Sequence, residues 1–199
     1  EAAVENPHLV VAEGAQHPPG AGGDGRVAIV VDHDWMTYAN AGTAQSMKFA
    51  ETSVRAWQDT LRTNLDGVFH CTRAALASIL EAPFGRIVNV ASTAGLIGYP
   101  YVVAYCAAKH GVVGFTRALA LELARTRVTV NAVCPGYTDT AITDAAVTNI
   151  VARTGRSPAQ ARAALASRNP QQRLVRPDEV ADAVAWLCLP SSHAITGQA

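Results

Sequence analysis

The sequence predicts an α/β fold in which a parallel sheet carries helices on both faces. Three observations lead there. From residue 39 onward, strand-like and helix-like segments alternate, and that order brings strands together in parallel through helical crossovers. The strand segments are nearly continuous apolar runs, as expected of strands covered on both sides. Hydrophobic residues make up 49% of the 199 residues and charged residues 16%, which supplies one buried core and excludes a disordered chain.

Taken in order, residues 1–25 are rich in Gly, Pro and Ala and keep no period. Residues 26–31 (RVAIVV) read as a short buried strand, and residues 32–38 interrupt it with mixed polar and aromatic side chains. The chain is therefore expected to divide into an atypical Gly/Pro-rich segment with one short strand, residues 1–38, and a regular domain, residues 39–199. Residues 52–80 are helical in period: Ser53 suits an N-cap, and Leu61, Leu65, Val68, Phe69, Ala75, Leu76 and Leu80 recur at spacings of three and four. Residues 85–90 form a strand opened by a glycine, and residues 103–124 a second long helix. Residues 127–134 read as a strand stopped by Pro135-Gly136. Ser157-Pro158 is an N-cap followed by proline at the first helical position, opening a helix to about residue 167. Residues 177–189 form the last helix, with Asp178 and Glu179 in its first turn.

Composition narrows the partners. The formal charge is zero, so nothing draws the whole chain to nucleic acid or to an anionic membrane. The longest uncharged run, residues 87–108, holds Asn89, Ser92, Thr93, Gly95, Gly98 and Pro100 and makes a poor membrane span. Glu1 opens a polar segment without a basic n-region, so no signal peptide is expected. Cys71, Cys106, Cys134 and Cys188 are widely spaced without a C-x-x-C pair. They read as reduced core cysteines of a cytoplasmic protein, and no metal site is expected. His70 and His110 read as ordinary helix residues.

In a parallel sheet the ligand crevice lies beyond the carboxyl ends of the strands. Three segments should meet there: residues 40–42, 91–93 and 135–136. Tyr105 and Lys109, four apart near a helix start, share one face. An ammonium beside a phenol lowers the phenol's pKa, which makes this pair a general acid or base for a carbonyl or an alcohol. Ser92, just past a buried strand, is placed to hydrogen-bond the oxygen of a reacting carbonyl.

Ser92 followed by Tyr105-Cys106-Ala107-Ala108-Lys109 resembles the active-site signature of the short-chain dehydrogenase/reductase family. Gly85-Arg86-Ile87-Val88-Asn89-Val90-Ala91-Ser92 is similar to the family's strand before its catalytic serine. Asn40-Ala41-Gly42 resembles the end of its Asn-Asn-Ala-Gly motif, with Ala39 in place of the first Asn. Asn64 falls where the family has its catalytic helix asparagine, and Pro135-Gly136 with Thr138 and Thr140 resembles its cofactor-contacting loop. The resemblance runs from about residue 39 to residue 199.

It implies a Rossmann-like domain, N-terminally truncated and lacking the last strand, and an oxidoreductase that uses NAD or NADP to interconvert a ketone and a secondary alcohol. Tyr105 would exchange the proton, Ser92 would orient the carbonyl, Lys109 would hold the nicotinamide ribose and Asn64 a relay water. Asn40, Ala41, Gly42, Tyr105, Lys109, Pro135, Gly136, Thr138 and Thr140 would contact the cofactor. A homodimer or homotetramer through the two long helices is implied, with Gly111 and Gly114 permitting close approach.

The sequence departs from the family at its start. Gly14, Gly20, Gly22, Gly23 and Gly25 do not reproduce the Gly-x-x-x-Gly-x-Gly turn that receives the pyrophosphate at a helix N-terminus. Poor dinucleotide binding is the expectation. Asp32 and Asp34 are not read as selectors of NAD or NADP. Residues 195–199 resemble the beginning of the family's last strand. Between residues 145 and 177 lie Arg153, Arg156, Arg162, Arg168, Arg173 and Arg176 without an acidic residue, which suits an anionic handle on the substrate. The wording around Tyr105 and Pro135 most resembles bacterial members acting on 3-oxoacyl or 3-hydroxyacyl thioesters. Two alternatives stay open: a pseudo-enzyme of the family, and a non-catalytic assembly scaffold.

Overall fold

In a computed structural model of the chain, the described residues are 10–11, 29–31, 36–39 and 42–199. A five-stranded sheet runs in the order β1 (Val10–Val11), β2 (Ile29–Val31), β3 (Met36–Ala39), β4 (Gly85–Val90), β5 (Val128–Val133). β3, β4 and β5 are parallel, with Met36 opposite Arg86 and Gly85 opposite Val128. β2 runs antiparallel to β3, and β1 antiparallel to β2.

The expectation for residues 26–38 needs correction. The strand that joins the parallel sheet is Met36–Ala39, all but its last residue inside the stretch read as an interruption, whereas Ile29–Val31 turns back along it. Four residues are too few to show a period, and the polar residues just before Met36 mask the strand-forming Thr37 and Tyr38.

Helices cover both faces, as the apolar strands required. α1 (Val54–Leu61), α2 (Gly67–Glu81) and α3 (Val103–Glu122) follow β3 and β4. On their face, Ile79 of α2, Ala120 of α3 and Leu123 just past it close over Ile87, Val128 and Val130. On the other face, Val184, Leu187 and Cys188 of α6 (Pro177–Cys188) pack on Val88. Two further helices, α4 (Ala141–Thr154) and α5 (Pro158–Ala166), lie in the chain between β5 and α6. Residues near the carboxyl end lie along β5: Gly197 N–H donates to the Val130 carbonyl and Ala132 N–H to that of Gln198, both at 2.8 Å.

The caps form where the sequence placed them. Ser53 accepts from Ala56 N–H, and Ser157 closes a capping box with Gln160. The long helix of residues 52–80, however, is not one α-helix. Residues Arg62–Asp66 form a π-helical segment between α1 and α2. α4 had no sequence signal, because its residues are mostly Ala, Thr and short polar side chains without a clear stripe. Gly155, at φ 70°, ends it in the left-handed conformation that glycine adopts without strain.

Candidate active site

The carboxyl ends of β4 and β5 are stitched together. Ala91 N–H donates to the Val133 carbonyl at 2.8 Å and Thr93 N–H to that of Pro135 at 2.9 Å. Ser92 caps the short turn Thr93–Gly95, its Oγ accepting from Ala94 N–H at 3.1 Å. That bond uses the oxygen as an acceptor and leaves the hydroxyl proton free to donate. Gly95 then packs directly on α3: a Cβ there would stand 2.6 Å from the Lys109 carbonyl oxygen. This backbone contact holds the Ser92 turn against the opening turns of the helix that carries Tyr105 and Lys109.

The Ser92 and Tyr105 side chains are neighbours, and the Lys109 Nζ lies 5.8 Å from the Tyr105 ring centre. Burial raises the phenol's pKa above its ordinary value, and the neighbouring Ser92 hydroxyl only partly opposes this. The expectation that the ammonium would lower it is therefore corrected, because desolvation is the larger effect. Lys109 is itself only 3% exposed, and burial brings its pKa down to about 8. Its Nζ donates to the Val90 carbonyl at 2.8 Å. One of three ammonium protons is thereby engaged, and the others remain available to a partner in the crevice.

Asn64 is fully buried on the π-helical segment. Its Nδ2 donates to the carbonyls of Thr60 at 2.9 Å and Thr43 at 3.0 Å, and its Oδ1 accepts from Thr43 N–H at 3.2 Å. The side chain thus clamps the loop after β3 to the helix. A Cβ on Gly42 would stand 3.0 Å from Asn64 Oδ1 and 3.8 Å from Lys109 Nζ, so Gly42, Asn64 and Lys109 are gathered in one place. Asn40 and Ala41 lie outside the described residues. Pro135, Gly136, Thr138 and Thr140 follow β5 at the same sheet edge. Thr138 Oγ1 donates to the Gly136 carbonyl at 3.1 Å, and Thr140 is the residue before α4.

The structure brings Ser92, Tyr105, Lys109, Asn64 and Gly42 together. Three further residues at the site lie outside the sequence motifs. Thr43 is legible only as the neighbour of Gly42. Tyr99 donates from its hydroxyl to Thr93 Oγ1 at 3.1 Å, and Tyr137 meets the Tyr99 ring edge-on at 6.0 Å.

Four of the six arginines between residues 145 and 177 find carboxylates from outside that interval or at its edge. Arg162 pairs with Asp139 and Asp144, Arg153 with Glu51, Arg173 with Glu179 and Arg176 with Asp178. The expected basic surface is largely neutralised. Gly111 also departs from expectation. A Cβ there would meet Leu65 at 2.8 Å, so its close approach is within the chain, while Gly114 faces open space. No group of His, Cys, Asp and Glu among the described residues could hold a metal. No helix among them is long and apolar enough to cross a membrane.

The fold and this grouping of Ser, Tyr, Lys and Asn define a class, and comparison with known proteins agrees. Residues 34–199 match the family described as enoyl-(acyl carrier protein) reductase, and the chain belongs to this family of short-chain dehydrogenases/reductases. A putative ketoacyl reductase of Streptomyces coelicolor is 44% identical over 162 residues, 80% of this chain and 62% of that protein. A D-beta-hydroxybutyrate dehydrogenase of Cupriavidus necator is 36% identical over 159 residues, 79% of this chain and 62% of that protein. An actinorhodin polyketide ketoreductase solved with NADPH is 43% identical with a TM-score of 0.78, covering 82% of this chain and 64% of its own. The chain thus spans 62% of the length of both curated relatives.

Proposed function

We propose that this chain carries the reaction half of an NAD(P)-dependent oxidoreductase that interconverts a ketone and a secondary alcohol. The observation that supports this best is a phenol, Tyr105, kept protonated by burial, next to the Ser92 hydroxyl and set beside a buried ammonium. A neutral phenol is the form required of a proton donor to a ketone. As the carbonyl is reduced, Tyr105 gives its proton to the carbonyl oxygen, and the Ser92 hydroxyl donates a hydrogen bond to the same atom. In the reverse direction the phenolate takes that proton back. Lys109, with a pKa near 8, returns a proton to Tyr105 at physiological pH. Asn64 Oδ1 keeps one lone pair for a water that resupplies Lys109.

These residues fit the nicotinamide half of a dinucleotide. Lys109 has ammonium protons to spare for ribose hydroxyls, and Gly42 leaves room at Lys109 and Asn64 that a side chain would fill. The bound cofactor would supply the hydride. Gly42, Tyr105, Lys109 and the loop of Pro135, Gly136, Thr138 and Thr140 would hold it. Residues 1–38 lack the glycine turn for its pyrophosphate, so this chain should bind dinucleotide weakly. The relatives' names favour a 3-oxoacyl thioester or polyketide ketone as substrate. The test mixes the chain with excess NADPH or NADH and a 3-oxoacyl thioester and follows oxidation of the reduced cofactor. Ketone-dependent oxidation is expected. Its absence with both cofactors, from a folded chain, would refute the reading.

A further inference from the structure

Asn169 lies outside every motif in the sequence, yet it is 7% exposed and its side chain makes three hydrogen bonds. Oδ1 accepts from Tyr137 N–H at 2.9 Å, and Nδ2 donates to the carbonyls of Tyr137 at 2.8 Å and Arg173 at 2.7 Å. One carboxamide thus grips both backbone groups of Tyr137, as a neighbouring strand would. The grip extends through backbone bonds. Val175 N–H donates to the Tyr137 carbonyl and Asp139 N–H to the Val175 carbonyl, both at 2.9 Å.

The residue gripped this way is linked to the Ser92 turn through one other side chain. The Tyr137 ring meets Tyr99, whose hydroxyl reaches Thr93, next to Ser92. Asn169 itself lies in the turn after α5, which Arg162 ties to Asp139 and Asp144. The outer tie is an exposed ion pair of the kind that contributes little. The inner tie is buried and consists of neutral hydrogen bonds whose loss leaves polar groups unsatisfied. Gly136 completes the arrangement: a Cβ there would land on Asn169 Oδ1. The carboxamide, held at three points, has nowhere to go.

We propose that Asn169 is a positioning residue that sets the substrate side of the crevice by clamping Tyr137, and that residue 136 is glycine to admit its carboxamide. The clamp holds the α4–α5 pair to the loop after β5 and fixes the Tyr137 ring against Tyr99, whose hydroxyl reaches the residue next to Ser92. The kinetic consequence rests on the ketone–alcohol reading above; the clamp itself does not.

The first measurement is amide hydrogen exchange on the full chain without ligand. In Asn169→Ala, exchange at Tyr137, Asp139 and Val175 should rise by about tenfold or more, with β5 amides such as Val130 unchanged. Gly136→Ala alone should loosen the same three amides, and should add almost nothing in the Asn169→Ala background. Should Asn169→Ala not fold, Gly136→Ala in the otherwise native chain still decides the matter by the same three amides. With a ketone substrate, Asn169→Ala should raise KM about tenfold, with kcat within about twofold and an unmoved pH profile. Unchanged exchange at Tyr137, uniform acceleration that includes β5, or equal damage from Gly136→Ala in both backgrounds would each overturn the clamp. Absence of turnover in the native chain would instead refute the proposed function and leave the exchange result to stand.

Discussion

At the level of single residues, two buried titratable groups set the chemistry, and burial acts on them in opposite directions. It pushes Tyr105 up and Lys109 down, so each is driven toward its neutral form. A neutral Tyr105 has a proton to give. Tyr105→Phe removes that proton and little else, and should abolish turnover while leaving the thermal unfolding midpoint within a few degrees. Ser92→Ala should lower kcat by roughly 10² to 10³, the scale for one donor to a developing oxyanion. Steady-state rates beside thermal melts check both. The lysine carries a stability prediction as well. Its pKa falls from an ordinary 10.5 to about 8 on folding. Between those values the unfolded chain binds the proton and the folded chain does not, so this contribution to stability rises with pH across that window. Below about pH 8 the buried charge costs its full penalty, on the order of 3 kcal/mol. Lys109→Met, measured against wild type by urea unfolding at pH 7 and pH 9.5, should stabilise the chain more at the lower pH. An equal difference at both would show that Lys109 titrates normally.

Among the elements, α3 and β4 must keep a fixed register, because one carries Tyr105 and Lys109 and the other leads to Ser92. Two buried contacts hold it. Gly95 packs on the Lys109 backbone, and Asn89 Nδ2 of β4 donates to Thr116 Oγ1 of α3 at 2.9 Å. Both side chains are fully buried, and Asn89 Oδ1 has no hydrogen-bond partner among the described residues. Thr116→Val keeps the shape and removes the acceptor, leaving the whole Asn89 carboxamide unsatisfied. A loss of about 1–3 kcal/mol is expected from urea unfolding. The exposed capping box at Ser157 is worth less, about 1 kcal/mol for Ser157→Ala, because water can replace its bonds. A Thr116→Val loss no larger than that of Ser157→Ala would mean the Asn89–Thr116 pair does not pin α3.

For the molecule as a whole, apolar surface on α2 and α3 is one feature that packing among the described residues does not explain. Leu121 is 80% exposed, Leu80 46% and Phe69 42%. With no net charge to keep copies apart, association through these helices is the expected outcome. Light scattering at micromolar concentration should give at least twice the mass of the 20.8 kDa chain, and Leu121→Glu should reduce it. A monomeric mass for the native chain would assign that surface another role.

Much of the fold was legible locally. The caps at Ser53 and Ser157, the proline that opens α6 and the apolar runs of β4 and β5 depend on residues within a turn or a strand of one another. Tyr105 and Lys109 were legible for the same reason, since helical spacing alone puts them on one face. The motifs added Ser92, Asn64 and the loop after β5. What the tertiary structure alone decided lies between distant residues. Asn64 meets Thr43, and Asn169 meets Tyr137 across 32 positions, and no periodic signal connects such pairs. The arginines looked like a basic surface until folding brought them carboxylates from elsewhere in the chain. Met36–Ala39 became a strand because β4 offered it an edge, not because four residues specify one. The direction of the Tyr105 shift also belongs to the folded molecule. Spacing announces the nearby ammonium, but desolvation is the summed effect of every atom that excludes water from the phenol, and only the assembled core determines it.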